Sequence, residues 1–180
     1  FKTPENIQKH TAQVANISMK IAENFIQNWK ILDKKLIYTA AKLHDVVKYV
    51  DFVDQIKEVN WKYTDILWNE ISKSTIIFWK NIKEKFWWLS HEKAWWKLFY
   101  EIWYKEIWKC ISSHWLMQAF KWFWTIEEKI VYYWDSKVCH HKIVSVKERI
   151  EDIKIRYKKY NSNNNLNNIK NYSPLEKLKI

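Results

Sequence analysis

The sequence predicts an all-α fold, a helical bundle followed by a flexible C-terminal tail, on three observations. Apolar residues recur at helical spacing through most of the chain. Two capping-box patterns, Thr125-Ile-Glu-Glu128 and Ser145-Val-Lys-Glu148, announce helix starts. No convincing strand and no internal repeat interrupts the pattern.

Thr3-Pro4 offers an N-cap with proline at the first helical position, opening a helix whose apolar stripe is Ile7, Val14, Ile17, Ile21 and Phe25. His10 shares that inward face. Asp33 caps a second helix, with Leu36, Ile37, Ala40, Ala41, Leu43, His44 and Val47 facing inward. Residues 53–88 read as a helical insertion, with one or two helices around Ile66–Ile71 and Ile76–Ile82. A helix pair follows over about 91–101 and 104–114, the second carrying Ile107, Ile111 and His114 on one side. The first capping box starts a helix through Ile130, Val131, Asp135 and Val138; the second starts one along Ile150, Ile153 and Tyr157. Residues 1–160 therefore read as one folded domain. Residues 161–180 open on an Asn-rich, low-complexity run that cannot bury enough apolar surface to fold, and read as a tail.

Composition narrows the function. No apolar run approaches the ~20 residues that cross a bilayer, and no segment resembles a signal peptide. Cys110 and Cys139 are the only cysteines and form no CxxC pair. That usage excludes a disulfide scaffold, fits a reduced cytoplasm, and makes both residues buried filler. The net charge of +11 comes from lysines spread along the chain with no basic block. A solvated surface is expected, favouring a small phosphorylated substrate over a nucleic acid. Oligomeric state is not legible.

Glycine is absent and tryptophan occurs 14 times, whereas about 7% of an ordinary chain is glycine. Several tryptophans stand where glycine chemistry is wanted. Trp29 occupies a C′ site suited to a left-handed residue, Trp115 follows His114 at a helix end, and Trp95-Trp96 lies inside a packed helix. The expectation is that UGA codons meaning glycine have been rendered as tryptophan.

Six residues with metal-ligand chemistry fall on inward faces or helix ends: His10, His44, Asp45, His91, His114 and Asp135. Imidazole with carboxylate suits Fe, Mn, Co, Ni or Zn, with Mg also possible; without thiolates, a structural zinc site is not expected. The order His10, His44-Asp45, Asp135 resembles the H…HD…D pattern of the HD-domain superfamily of metal-dependent phosphohydrolases. Leu43-His44-Asp45-Val46-Val47-Lys48 is similar to its HD-x-x-K helix end, with Val47 at the usual glycine. His91-Glu92 resembles the following HG/HE segment, Ile111-Ser-Ser-His114 the second intervening histidine, and Tyr133-Trp134-Asp135 the YAD/YGD helix. The likeness spans about residues 3–160.

The resemblance implies a hydrolase that cleaves a phosphoester or phosphoanhydride, in a nucleotide-like substrate, with one or two divalent ions. His10, His44, Asp45 and Asp135 would hold one ion, and His91 and His114 a second, bridged by Asp45, as in the two-metal branch. Asp45 and Lys48 would be the catalytic pair, Lys48 binding phosphate as a point charge. Glu92 is expected to be exposed, His140-His141 to be a surface pair, and Tyr49 and Phe52 to be core or base-stacking residues. A di-iron oxygenase on the same fold and a weakly catalytic nucleotide-binding module remain as alternatives.

Overall fold

A computed structural model of the chain describes residues 3–51, 53–59, 62–64, 70–85, 97, 104–112, 125–152 and 154–155. His91, Glu92, Trp95, Trp96, His114, Trp115, Phe52 and the 161–180 tail lie outside the described residues.

The chain is mainly helical. Helix α1, Glu5–Gln27, starts one residue later than Thr3-Pro4 suggests: Pro4 (φ −59°) is itself the N-cap, and no side chain caps the helix. Its buried face carries Ile7, His10, Thr11, Val14, Ala15, Ile17, Ser18 and Ala22. Ile21 is only partly buried and Phe25 is exposed, because the last turns of α1 run past the core. The helix ends in a Schellman motif, with Lys30 N–H donating to the Phe25 carbonyl (3.1 Å) and Trp29 N–H to the Ile26 carbonyl (3.0 Å). Trp29 takes the left-handed position of that motif at φ 66°, with its indole 96% exposed.

Asp33 caps α2, Lys34–Leu43, its Oδ1 accepting from Leu36 N–H at 2.9 Å. Ile37, Ala40 and Ala41 are fully buried on the face that meets α1. Beyond Leu43 the backbone tightens into turns, with Val46 N–H bonded to the Leu43 carbonyl and Lys48 N–H to the Asp45 carbonyl, both at 3.0 Å. Short 3₁₀ segments follow at Lys48–Asp51 and Val53–Gln55.

The described part of residues 53–88 contains strands as well as the expected helix. Strands β1 Lys57–Val59, β2 Lys62–Thr64 and β3 Glu70–Ile71 form an antiparallel sheet in that order, with Glu58 opposite Tyr63 and Tyr63 opposite Ile71. Glu70–Ile71, expected at the end of a helix, is thus a strand. Strands of two or three residues are too short to set up a visible alternation. The helix expected over Ile76–Ile82 is present within α3, Lys73–Lys85, which is capped by Ser72 Oγ accepting from Thr75 N–H at 3.2 Å. Its Trp79 is fully buried, 5.9 Å from the Tyr49 ring and 5.4 Å from Phe78 in an edge-on contact.

Helix α4, Lys105–Ser112, buries Cys110 and Ile111. In α5, Ile126–Lys137, the first capping box is realised by Thr125, which accepts from Glu128 N–H at 3.2 Å. Glu128 does not lie on the surface; it is buried at the helix start. A hairpin follows, β4 Val138–Cys139 paired with β5 Lys142–Ile143 around His140-His141, with His140 at φ 57°. The second box is reciprocal: Ser145 N–H donates to Glu148 Oε2 (2.7 Å) and Glu148 N–H to Ser145 Oγ (3.1 Å). It opens a helical stretch over 146–152.

Helix α2 lies at the centre, packed on α1, α4 and α5. Among the described residues, no helix is long and apolar enough to cross a membrane.

Candidate metal centre

Three helical segments bring four of the expected ligands together. His10 comes from the middle of α1, His44 is the C-cap of α2 with Asp45 in the turn beyond it, and Asp135 is in the last turns of α5. His44 and Asp45 are at most 1% exposed and His10 7%.

The histidines are oriented by their backs. His10 donates Nδ1–H to the His140 carbonyl at 3.0 Å, and His44 donates Nδ1–H to the Ala41 carbonyl at 2.8 Å. A carbonyl only accepts, so each bond assigns the proton to Nδ1 and leaves Nε2 of the neutral ring as a lone pair. Those lone pairs face each other at 3.3 Å, and Asp135 Oδ1 lies 3.0 Å from His10 Nε2 and 3.2 Å from His44 Nε2. Asp45 Oδ2 completes the group at 3.9 and 3.8 Å from the same nitrogens. The rings meet edge to face, 66° apart.

Acceptors do not converge this closely without something positive between them. In the metal-free protein, protons serve. Burial works against a charged His44, but Asp135 and Asp45 outweigh it, and the His44 pKa is raised above its ordinary value. Burial likewise opposes ionisation of the two carboxyls, yet Lys48 and His44 hold Asp45 far below the usual carboxylate range. His44 and His10 do the same for Asp135. A divalent ion fits the same space. Bonds of about 2.1 Å place neighbouring donors about 3.0 Å apart in octahedral and about 3.4 Å apart in tetrahedral geometry. The His10, His44 and Asp135 donors already have that spacing. Asp45 is drawn aside by an ion pair with Lys48.

Lys48 thus faces Asp45, one turn back, with its side chain 30% exposed. Tyr49 is core, 1% exposed under Trp79, which removes it as a base-stacking surface. Cys110 is buried as expected, its thiol pushed up to about 12 by burial and then by Glu128 and neighbouring carboxylates. Cys139 is only partly buried. His140 and His141 have exposed side chains, in line with a surface pair. What the sequence did not disclose is the main-chain role of His140, whose carbonyl orients His10; a carbonyl leaves no mark on residue type. The separate cluster of Cys139, His140 and Asp152 was also missed, and a Cys-His dipeptide beside the second capped helix was the available signal.

The family model that matches this chain is described as HD domain and covers residues 7–117, more than half of it. Neither the curated proteins nor the solved structures compared with the chain include a match.

Proposed function

We propose, from the premise that this chain belongs to the HD-domain family, that it is a metal-dependent phosphohydrolase whose ion is held by His10, His44, Asp45 and Asp135. The observation that carries this reading is the pair of histidines locked by their Nδ1 bonds with Nε2 lone pairs aimed at one point, beside two ionised carboxylates. His10, His44 and Asp45 stand close enough to share an ion. His91 and His114 are proposed as ligands of a second ion, on the sequence pattern alone.

A bound divalent ion supplies Lewis-acid polarisation of a phosphoryl oxygen and lowers the pKa of a water. The residues supply the rest. Ala41 and His140 hold the two imidazoles in the ligating tautomer. Asp45 and Asp135 provide the negative charge that offsets a dication in a buried site. Lys48, paired with Asp45 at a partly exposed position, would supply a point charge for an anionic substrate. The substrate proposed is a small, nucleotide-like phosphate ester or anhydride, and the compartment a reduced cytoplasm.

The experiment must use the right polypeptide. We infer that glycine is native at Trp29, because glycine takes the left-handed backbone without the steric cost that a bulky indole-bearing residue meets there. Trp108 supports the same inference, because its indole Nε1 is buried with no acceptor among the described residues. The chain should be prepared with glycine at its 14 tryptophan positions and, separately, with Trp79 retained. Bound metal and phosphate release from nucleotides with Mn²⁺ or Fe²⁺ are then measured. The expected result is metal-dependent release that falls by about 10²-fold or more in His44→Ala/Asp45→Ala. Oxygen uptake with no phosphate release would replace this reading by an oxygenase.

A further inference from the structure

The β4–β5 hairpin carries a second group of ligand-type side chains. One donor atom each from Cys139, His140 and Asp152 lie within 4.8 Å of one another. They come from the end of β4, from the turn, and from the helical stretch over 146–152. Arg149 Nη1 donates to Asp152 Oδ2 at 3.1 Å and fixes that carboxylate's direction.

We propose that Cys139, His140 and Asp152 form a separate site for a borderline-soft divalent ion of the Zn²⁺ type, which clamps the hairpin to the helix after it and thereby fixes the carbonyl that orients His10. Three observations carry this. Thiolate, imidazole and carboxylate together are the donor set that a borderline ion takes in preference to Mg²⁺ or Ca²⁺. Three protein ligands leave a position for water, as at an exposed site. His140 also sits at φ 57°, where glycine would be cheapest. It is a histidine, not one of the tryptophans suspected of replacing glycine, so the turn places an imidazole between Cys139 and the helix that carries Asp152.

The site is reached by closing the donors, now within 4.8 Å of one another, to the spacing set by bonds of about 2.0–2.3 Å. An exposed turn permits such a movement. Binding releases the Cys139 thiol proton to solvent. Cys110 does not compete, since its thiol is buried and pushed up to about 12.

The clamp exists independently of an ion at His10 and His44; only its effect on His10 rests on the metal centre proposed above. Cobalt(II) separates the two. Added to the 180-residue chain, it should give thiolate-to-cobalt charge-transfer absorption in the near ultraviolet. Cys139→Ser should abolish that band. His140→Asn, which keeps a side chain tolerant of the left-handed backbone, should weaken cobalt binding at the band-forming site at least tenfold at unchanged helical circular dichroism. Asp45→Asn, which disrupts the His10–His44 centre, should leave the band intact. Absence of the band in the parent chain, or its persistence in Cys139→Ser, overturns the clamp.

Discussion

At the scale of single residues, the two buried histidines owe their chemistry to one carbonyl each. Replacing His10 by Gln keeps polarity but loses the pairing of an Nδ1 donor with an Nε2 lone pair. It should lower metal affinity by about 10- to 100-fold, as measured by competition with a coloured chelator. Protonation competes with the metal in a defined direction. The raised pKa of His44 means that its charged form stabilises the metal-free fold below the ordinary value of 6.5, and that this contribution is lost as pH rises through the raised value. Asp45 and Asp135, held low, stabilise above their ordinary 3.8 and lose that contribution as pH falls. The metal-free protein should therefore melt highest between those limits. Added Mn²⁺ should raise the melting temperature more as pH climbs, and a metal-induced shift independent of pH would contradict the assignment. Trp29→Gly should stabilise by about 1–2 kcal/mol by relieving the left-handed backbone, read as a higher denaturation midpoint. Truncating Trp79, which packs in the core between a tilted Tyr49 ring and an edge-on Phe78 ring, to Ala should cost about 3–5 kcal/mol if tryptophan is native there. Mass spectrometry of the native protein decides both positions.

At the scale of elements, legibility followed the length of the pattern. Asp33, Thr125 and Ser145 were readable as caps because each satisfies an orphan N–H three residues on, a fixed local spacing. Strands of two or three residues, such as β3 with Glu70–Ile71, carry no such code: their pairing is decided by partners elsewhere in the chain. The reach of α1 was overestimated at Phe25 for a similar reason, since periodicity marks a face but not where the opposing helix stops. Helix α5 carries Asp135, so its cap supports the proposed metal centre only through the helix's stability. Thr125→Ala should cost about 1 kcal/mol and lower the melting temperature by a few degrees, with little change in metal affinity once the helix is folded.

At the scale of the whole molecule, four candidate ligands from three segments converge on a point beside the central helix α2, so an ion there would add to the hydrogen bonds that already join these parts. Chelation should lower the melting temperature, and free metal at about 1,000 times its dissociation constant should add about 4 kcal/mol. The convergence of His10, His44, Asp45 and Asp135 was legible in the sequence because chemistry and order coincide there. The Lys48–Asp45 pairing was not visible, because which way a long side chain turns depends on charges that only the fold assembles. Tyr49 is core, one of the two roles its place after a helix suggested, but its partner was hidden: Trp79 comes from α3, a helix more than twenty residues further along the chain.

His10 and Asp135 touch across a separation of 125 residues. During synthesis, then, the His10 imidazole is made long before the Asp135 carboxylate with which it is proposed to share an ion. On that proposal the cage closes only once both ends of this stretch have been made, and translation products truncated between them should hold metal weakly.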